Sequence, residues 1–139
     1  MTRTLQVGVK ALIQDEQGKI LLLQRSKPFH GEDFCRWDIP GGRIDTEETQ
    51  EAALRREVKE ETNLILGEIV EVFHVQDILF DPELHVVRVT YRVKASGKVS
   101  ISEEHTDARW FRIDEIPRAL TDLYFTEALQ ARGWLPSHD

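Results

Sequence analysis

The sequence predicts an α/β protein in which a mixed β-sheet is covered by helices. Residues 85–95, HVVRVTYRVKA, alternate between valine or tyrosine and polar side chains, which is typical of a strand. Residues from about 46 to 62 contain no glycine or proline and are rich in strong helix formers, which predicts a helix. Residues 113–134 predict a short turn and a second helix, and several strands with two helices in this order favour a mixed sheet packed against helices.

The predicted elements come in the following order. Residues 7–13 form a first strand, with Leu12 as the one outward position that does not fit the alternation, and 15–19 have turn chemistry. Residues 20–25, ILLLQR, form a second, more buried strand, so the two strands are expected to pair as a hairpin.

An irregular segment, 26–38, leads to a strong breaker, IPGG, before the first helix. After that helix, 64–80 is rich in strand formers, and 85–95 and 108–113 are further strands. The C-terminal helix is expected to stop at Gly133 and Pro136.

Size and composition favour one soluble domain over residues 1–139. The chain has 40% hydrophobic and 31% charged residues and no internal repeat or linker. The net charge of −7 argues against a nucleic-acid polymer as partner, although divalent metal ions would let an acidic site hold a small phosphate ligand. No apolar run approaches the roughly 18 residues of a membrane span, so no membrane partner is expected. The single cysteine, Cys35, rules out an internal disulfide and fits the cytoplasm.

The end of the first predicted helix carries an unusual concentration of negative charge. Glu57, Glu60 and Glu61 border the apolar stripe on a helical wheel instead of lying opposite it. They repel one another, and the last two oppose the helix dipole at about 0.3–1 kcal/mol each. A bound divalent cation would reverse both effects. The alternative, a solvated helix with ion pairs, suits Glu51 and Arg55 better than these three carboxylates.

The stretch GGRIDTEETQEAALRREVKEETNL (41–64) resembles the Nudix box, the signature of a family of diphosphate hydrolases. That signature requires glycine, five residues, glutamate, seven residues, and then Arg-Glu-U-x-Glu-Glu-x-Gly-U, where U is bulky and aliphatic. Eight of the nine specified positions match over 42–64, and WDIPGG and EEHTDARWF are also similar to Nudix sequences. The exception is Asn63, which replaces the usual glycine. Asparagine is the next most tolerant residue in a left-handed helix stop, so we expect the turn to survive.

The resemblance implies a Nudix fold, a mixed β-sheet sandwiched between helices in an α/β/α arrangement. It also implies hydrolysis of a diphosphate linkage in a nucleoside diphosphate derivative or nucleoside triphosphate, by water attack at phosphorus. Mg²⁺ or Mn²⁺ is the implied cofactor, because carboxylates are the hard oxygen ligands these ions prefer.

By position in the box, Glu57, Glu60 and Glu61 match metal-binding carboxylates, and Glu57 or Glu60 is implied as the base. Arg56 matches the arginine that orients a box glutamate. The carbonyl of Gly41 is implied as a further metal ligand.

A further metal-binding carboxylate is expected in the loop beyond the sheet, where Glu104 is favoured over Glu103. Three residues are candidates for binding substrate: Arg25 for a phosphate, and Phe29 and Phe34 for stacking on a base. Each has a plainer interpretation as an exposed or packing side chain, and Trp37 is expected to pack in the core.

Two other functions stay open at this point. One is a Nudix-like module that binds a nucleotide without cleaving it, although such modules usually have eroded boxes. The other is isomerisation of an isoprenoid diphosphate, which Cys35 supports poorly. The substrate is also open, since residues 79–81 (LFD) carry neither the proline linked to ADP-ribose nor the tyrosine linked to dinucleoside polyphosphates. A homodimer is compatible with the resemblance.

Overall fold

Seven strands and two α-helices make up the fold in residues 2–136, the part of the chain that the computed structural model describes. Two short 3₁₀ turns, Ile113–Glu115 and Arg118–Leu120, precede the second helix. The elements in chain order are β1 (Thr4–Ile13), β2 (Ile20–Arg25), β3 (Trp37–Asp38), β4 (Gly41–Arg43), α1 (Gln50–Thr62), β5 (Ile65–Ile78), β6 (Leu84–Ser96), β7 (His105–Phe111) and α2 (Leu123–Ala131).

The strands form two sheets, one mixed and one antiparallel. The four-stranded sheet has the order β4-β1-β6-β5, and β1 runs parallel to β6 while the other pairs are antiparallel. The three-stranded sheet has the order β3-β2-β7. The predicted mixed sheet is therefore confirmed, but three of the strands belong to a second sheet.

The prediction that the first two strands pair as a hairpin is wrong. β1 and β2 lie in different sheets, and an isolated bridge between Gln14 and Ile20 is what joins them beside the turn. The turn itself forms as expected, because the Asp15 carboxylate accepts from the amides of Gln17 and Lys19 at 2.9 Å. β6 pairs along one edge of β1 and β4 pairs with Gly8, Val9 and Lys10 on the other, so β2 cannot pair along the length of β1.

Helices cover opposite faces of the sheets, which confirms the α/β/α expectation. One core cluster packs against α1 through Ala53, Leu54 and Val58, and the other packs against α2 through Phe125 and Leu129. Each fully buried aliphatic side chain contributes about 1.5–3 kcal/mol. Leu12, the expected outward misfit of β1, is fully buried in the second cluster because that face of β1 is also covered.

The first helix begins at Gln50, four residues later than predicted. Thr49 caps it, since its hydroxyl accepts from the Ala52 amide at 3.1 Å. The helix ends where expected, with Asn63 in the left-handed conformation (φ 64°) and its amide donating to the Lys59 carbonyl. The turn therefore survives without glycine. The last strand also differs from the prediction, since β7 covers His105–Phe111 and not 108–113.

No helix within residues 2–136 is both long and apolar enough to cross a membrane.

Candidate active site

The C-terminal half of α1 and the loop before β7 enclose an acidic cavity of about 390 Å³. We call it the carboxylate cavity. It brings together the four glutamates predicted to bind metal, and its full lining is Glu57, Glu60, Glu61, Ser102, Glu103 and Glu104.

The three helix glutamates differ sharply in exposure. The Glu61 side chain is 7% exposed and the Glu57 side chain 14%, whereas that of Glu60 is 58% exposed. Glu61 is buried with the apolar stripe of α1, as the helical wheel indicates. The three carboxylates therefore extend in a row from the protein interior to the solvent.

Burial makes Glu61 an unusually weak acid. Removal from water, and secondarily the neighbouring Glu57, raises the pKa of Glu61 to about 8 despite the opposing charge of Lys10. The Gly41 amide donates to Glu61 Oε1 at 3.4 Å. His105 Nε2 lies 3.9 Å from the same oxygen, too far for a hydrogen bond, and burial lowers the pKa of His105.

Arg56 binds the first box glutamate with two nitrogens. Its Nε and Nη2 donate to the Glu48 carboxylate at 2.6 and 2.8 Å, and these bonds lower the pKa of Glu48 to about 2. Its Nη1 also reaches Glu57 Oε1 at 3.0 Å and Glu60 Oε2 at 3.4 Å. Arg56 therefore links the loop before α1 to two of the predicted metal ligands.

The two box glycines make room for charged side chains. A Cβ on Gly41, whose φ is 148°, would lie 2.1 Å from the Val9 carbonyl and 2.7 Å from Lys10 Cδ. A Cβ on Gly42 would lie 2.6 Å from Glu57 Oε1. The close approach of Lys10 to Gly41 and of Glu57 to Gly42 is therefore a reason for glycine at both positions.

A second cavity of about 350 Å³, the central cavity, adjoins the carboxylate cavity and shares Glu61 and Glu104 with it. Three cationic side chains line it, those of Lys10, Arg25 and Lys27. Arg25 was predicted as a phosphate contact and lies here, at the end of β2. Cationic and acidic groups in adjoining spaces can bind a phosphate chain and its counter-ions respectively.

A third cavity of about 240 Å³, the aspartate cavity, shares Lys10, Arg25 and Asp38 with the central cavity. Asp122 and Arg88 also line it. Arg88 donates to Asp38 Oδ1 at 3.1 Å and to Asp122 Oδ1 at 3.2 Å, and Lys10 Nζ lies 3.1 Å from Asp38 Oδ2.

This charge network separates the two aspartates in acidity. Burial alone would raise the pKa of Asp38, but Lys10 and Arg88 outweigh it and hold the pKa below its usual range. The pKa of Asp122 is raised, first by burial and then by the charge of Asp38. Asp38 is therefore the more firmly ionised member of the pair.

The aromatic candidates have separate places. Phe29 lines the aspartate cavity, where its ring packs on Phe80 at a centroid distance of 5.2 Å. Phe34 lies under the Arg36 guanidinium at 5.0 Å and lines none of the three cavities. Trp37 is 7% exposed and packs edge-on against Phe111, which confirms its expected core role.

Sequence reasoning missed four charged residues at this site: Lys10, Asp38, Arg88 and Asp122. In alternating strands, Lys10 and Arg88 stand at positions where exposed polar residues are expected, yet Arg88 is only 6% exposed. A lysine within the otherwise apolar residues 7–13 is the one available signal. Their meeting depends on the parallel pairing of β1 with β6, which sets Gly8 opposite Arg88 and Lys10 opposite Thr90.

The donors fit Mg²⁺ or Mn²⁺ in chemistry, being carboxylate oxygens with a backbone carbonyl nearby. In residues 2–136, no three histidine, cysteine or acidic side chains are already gathered tightly enough to hold an ion. Arg56 and the Gly41 amide occupy oxygens of Glu57, Glu60 and Glu61 instead. A cation would satisfy Glu61, whose buried carboxylate is otherwise costly to ionise.

Comparison with known proteins gives one consistent family. The family model for the NUDIX domain matches residues 4–131. A MutT-like protein of Streptomyces ambofaciens is 31% identical over 126 residues, covering 90% of this chain and 75% of that protein. An ADP-ribose pyrophosphatase of Methanocaldococcus jannaschii is 29% identical, covering 84% and 67%. The crystal structure of a MutT NUDIX hydrolase from Burkholderia pseudomallei superposes with a TM-score of 0.79 at 29% identity, covering 92% of this chain and 98% of that one.

Proposed function

Because the chain belongs to the Nudix family and is a Nudix-type hydrolase, we propose that it cleaves a diphosphate linkage in a nucleotide-type substrate with the help of Mg²⁺ or Mn²⁺. The substrate class is a nucleoside triphosphate or a nucleoside diphosphate derivative. One observation carries the proposal: three adjoining cavities present carboxylates, then cations beside carboxylates, then a mixed polar and aromatic pocket.

The order of these cavities matches the parts of such a substrate. The carboxylate cavity suits divalent ions, and Lys10, Arg25 and Lys27 in the central cavity suit phosphate oxygens. The aspartate cavity suits the group attached to the diphosphate, because Phe29 and Tyr124 provide aromatic surface beside charged hydrogen-bonding groups.

In this proposal the metal ions would be held by Glu57, Glu60, Glu61, Glu104 and the Gly41 carbonyl. Such ions would neutralise a diphosphate and acidify the attacking water. Glu57 or Glu60 accepts the proton of that water. Arg56 donates hydrogen bonds to both Glu48 and Glu57, and it thereby orients Glu57. Arg25 contacts a phosphate, and Phe29 contacts the attached group.

The identity of the substrate is tested with a panel. Ordinary and oxidised nucleoside triphosphates, nucleotide sugars, dinucleoside polyphosphates and ADP-ribose are incubated with Mg²⁺, Mn²⁺ or excess EDTA, and both products are identified. The relative named as an ADP-ribose pyrophosphatase makes ADP-ribose a necessary member of the panel. Binding of a nucleotide without any product across this panel would support a catalytically silent module instead.

The carboxylates are tested with Glu57→Gln and Glu60→Gln. Each is expected to lower kcat by about 10²–10⁴-fold, the usual contribution of a positioned acid or base, while the circular dichroism spectrum is unchanged. Glu68→Gln is the matched control, since Glu68 is 65% exposed on β5 and lies outside the three cavities. Full metal-dependent turnover by both site variants would contradict the proposed function.

A further inference from the structure

Lys10 is an unusually enclosed lysine. It lies in β1, an interior strand of the four-stranded sheet, and its side chain is only 15% exposed. Lysines are rarely buried without a reason, because the ammonium group loses its hydration. A Cβ at Gly41 would lie 2.7 Å from Lys10 Cδ, so the glycine leaves space for this side chain to pass.

The Lys10 ammonium group has N–H donors that its ion pair does not use. Within the described residues, its one ion-pair partner is Asp38, at 3.1 Å, and an ammonium carries three donors. Asp38 Oδ1 accepts from Arg88 and from the Ile39 amide, and Lys10 pairs with the other oxygen, Oδ2. That contact uses one of the three donors of the ammonium group and leaves the others for a ligand.

Lys10 also lies at the junction between the proposed subsites. It lines the central cavity together with Glu61 and Glu104, and it lines the aspartate cavity together with Tyr124. A molecule extending from the metal-binding carboxylates into the aspartate cavity would pass this ammonium group.

We infer that Lys10 is a substrate-contacting residue that binds the phosphate joining the diphosphate to its attached group. The inference rests on the proposed function. Asp38, which Arg88 holds in place, acts as a positioning residue that directs the Lys10 ammonium to the junction of the two cavities. An ammonium there offers charge-assisted hydrogen bonds to a phosphate oxygen, which are the stronger kind.

The test measures binding without metal or turnover. Isothermal titration in excess EDTA compares AMP, GMP, CMP and UMP with the four corresponding nucleosides, for the native protein and for Lys10→Met. The variant is expected to bind the preferred monophosphate about tenfold or more weakly, while nucleoside affinity changes less than about twofold. Lys94→Met is the matched control, because Lys94 is 69% exposed on β6, and it is expected to bind both ligands as the native protein does.

A second variant separates phosphate binding from a structural role. Lys10→Met leaves Asp38 Oδ2 without its cation, and adding Asp38→Asn removes that charge, so the unfolding midpoint of the double variant is expected to recover toward the native value. Its monophosphate affinity is expected to stay low. Recovery of affinity together with stability would overturn the inference, and so would equal losses for monophosphate and nucleoside, or no monophosphate binding by the native protein.

The two proposals fail in different ways. Native hydrolysis together with unchanged monophosphate binding by Lys10→Met would refute only the role of Lys10. A selective loss of monophosphate binding, with no hydrolysis of any panel member by the native protein, would refute only the hydrolase proposal.

Discussion

The Glu57 carboxylate lies directly against the backbone of Gly42, where a Cβ would fall 2.6 Å from Oε1 and 2.8 Å from Oε2. The Glu57 side chain projects from α1 and Gly42 belongs to β4, so the contact joins the helix to the strand before it. Its carboxylate can take this position only because residue 42 has no side chain.

Gly42→Ala is expected to abolish most activity while leaving the fold intact. The obstructing atoms belong to the end of a flexible side chain, which can move away, but Glu57 would then leave the position in which Arg56 holds it. A catalytic group misplaced by about 1 Å costs about 10²-fold in rate. Initial rates and thermal unfolding are measured together.

Two other glycines provide the comparison for that variant. Gly67→Ala is the control, since its Cβ would meet nothing nearer than the Lys94 carbonyl at 3.4 Å, and it should keep native activity. Gly41→Ala should unfold more easily than either, because its Cβ would strike backbone atoms. Native activity in Gly42→Ala would refute the positional role of the contact.

The metal-free protein is expected to lose stability as pH rises toward 8. The pKa of Glu61 is about 8 in the folded state, against an ordinary value of 4.5 for glutamate, so the folded state binds more protons between these values. The free energy of unfolding therefore falls across this window, by a few kcal/mol. Urea titrations in EDTA at several pH values measure the slope, and Glu61→Gln should flatten it.

The slope is read above pH 7 to keep His105 out of the measurement. Burial lowers the pKa of His105, so its contribution to stability is lost as pH falls below about 6.5, in the opposite direction. Excess Mg²⁺ should stabilise the native protein more than Glu61→Gln at pH 8. Equal slopes for the two proteins would contradict the assignment to Glu61.

Asn63 is expected to tolerate glycine but not alanine. Its φ of 64° is left-handed, where a Cβ without a compensating side chain costs about 1–2 kcal/mol. Asn63→Ala also loses the hydrogen bond from Lys59 Nζ to Asn63 Oδ1 at 3.1 Å. Asn63→Gly should stay within about 0.5 kcal/mol of the native protein, because freedom from strain offsets the lost bond. Urea unfolding distinguishes the two, and equal stabilities would show that the turn is not under strain.

Arg88→Met is expected to destabilise the protein strongly. It leaves Asp122 without its cation and Asp38 with Lys10 alone, and breaking a buried ion pair costs about 3–5 kcal/mol. Arg109→Met is the control, since Arg109 is 65% exposed and pairs with a neighbour two residues away. Chemical denaturation of both variants gives the difference, and a loss no larger than that of the control would refute a structural role for the buried network.

Local sequence patterns predicted the elements well and their partners less well. The stretch 46–62 predicts α1 to within four residues because helix propensity and apolar spacing act within a single turn. The β1–β2 hairpin failed because pairing is decided by which edges are free, and β6, about 70 residues further on, occupies an edge of β1. Short-range turn signals contain no information about that competition.

In the candidate site too, residues close together in the sequence were predicted, and residues brought together by strand pairing and packing were not. Glu57, Glu60 and Glu61 share one helix, so their spacing alone places them together. Lys10 and Arg88 stand on different strands, and Asp122 caps a helix whose position depends on the whole core. Polar residues in strands alternate with apolar ones whether they face solvent or a buried partner, which is why Arg88 gave no signal by itself.

The ten-residue parallel register between β1 and β6 ties the site to the order in which the chain folds. Thr4 pairs with Leu84, 80 positions away, so these contacts form only after a large loop closes, and such non-local pairing is slow. During synthesis, the whole of α1 leaves the ribosome well before Arg88 and Asp122. We expect a nascent chain ending near residue 80 to carry all three helix carboxylates but to lack hydrolase activity.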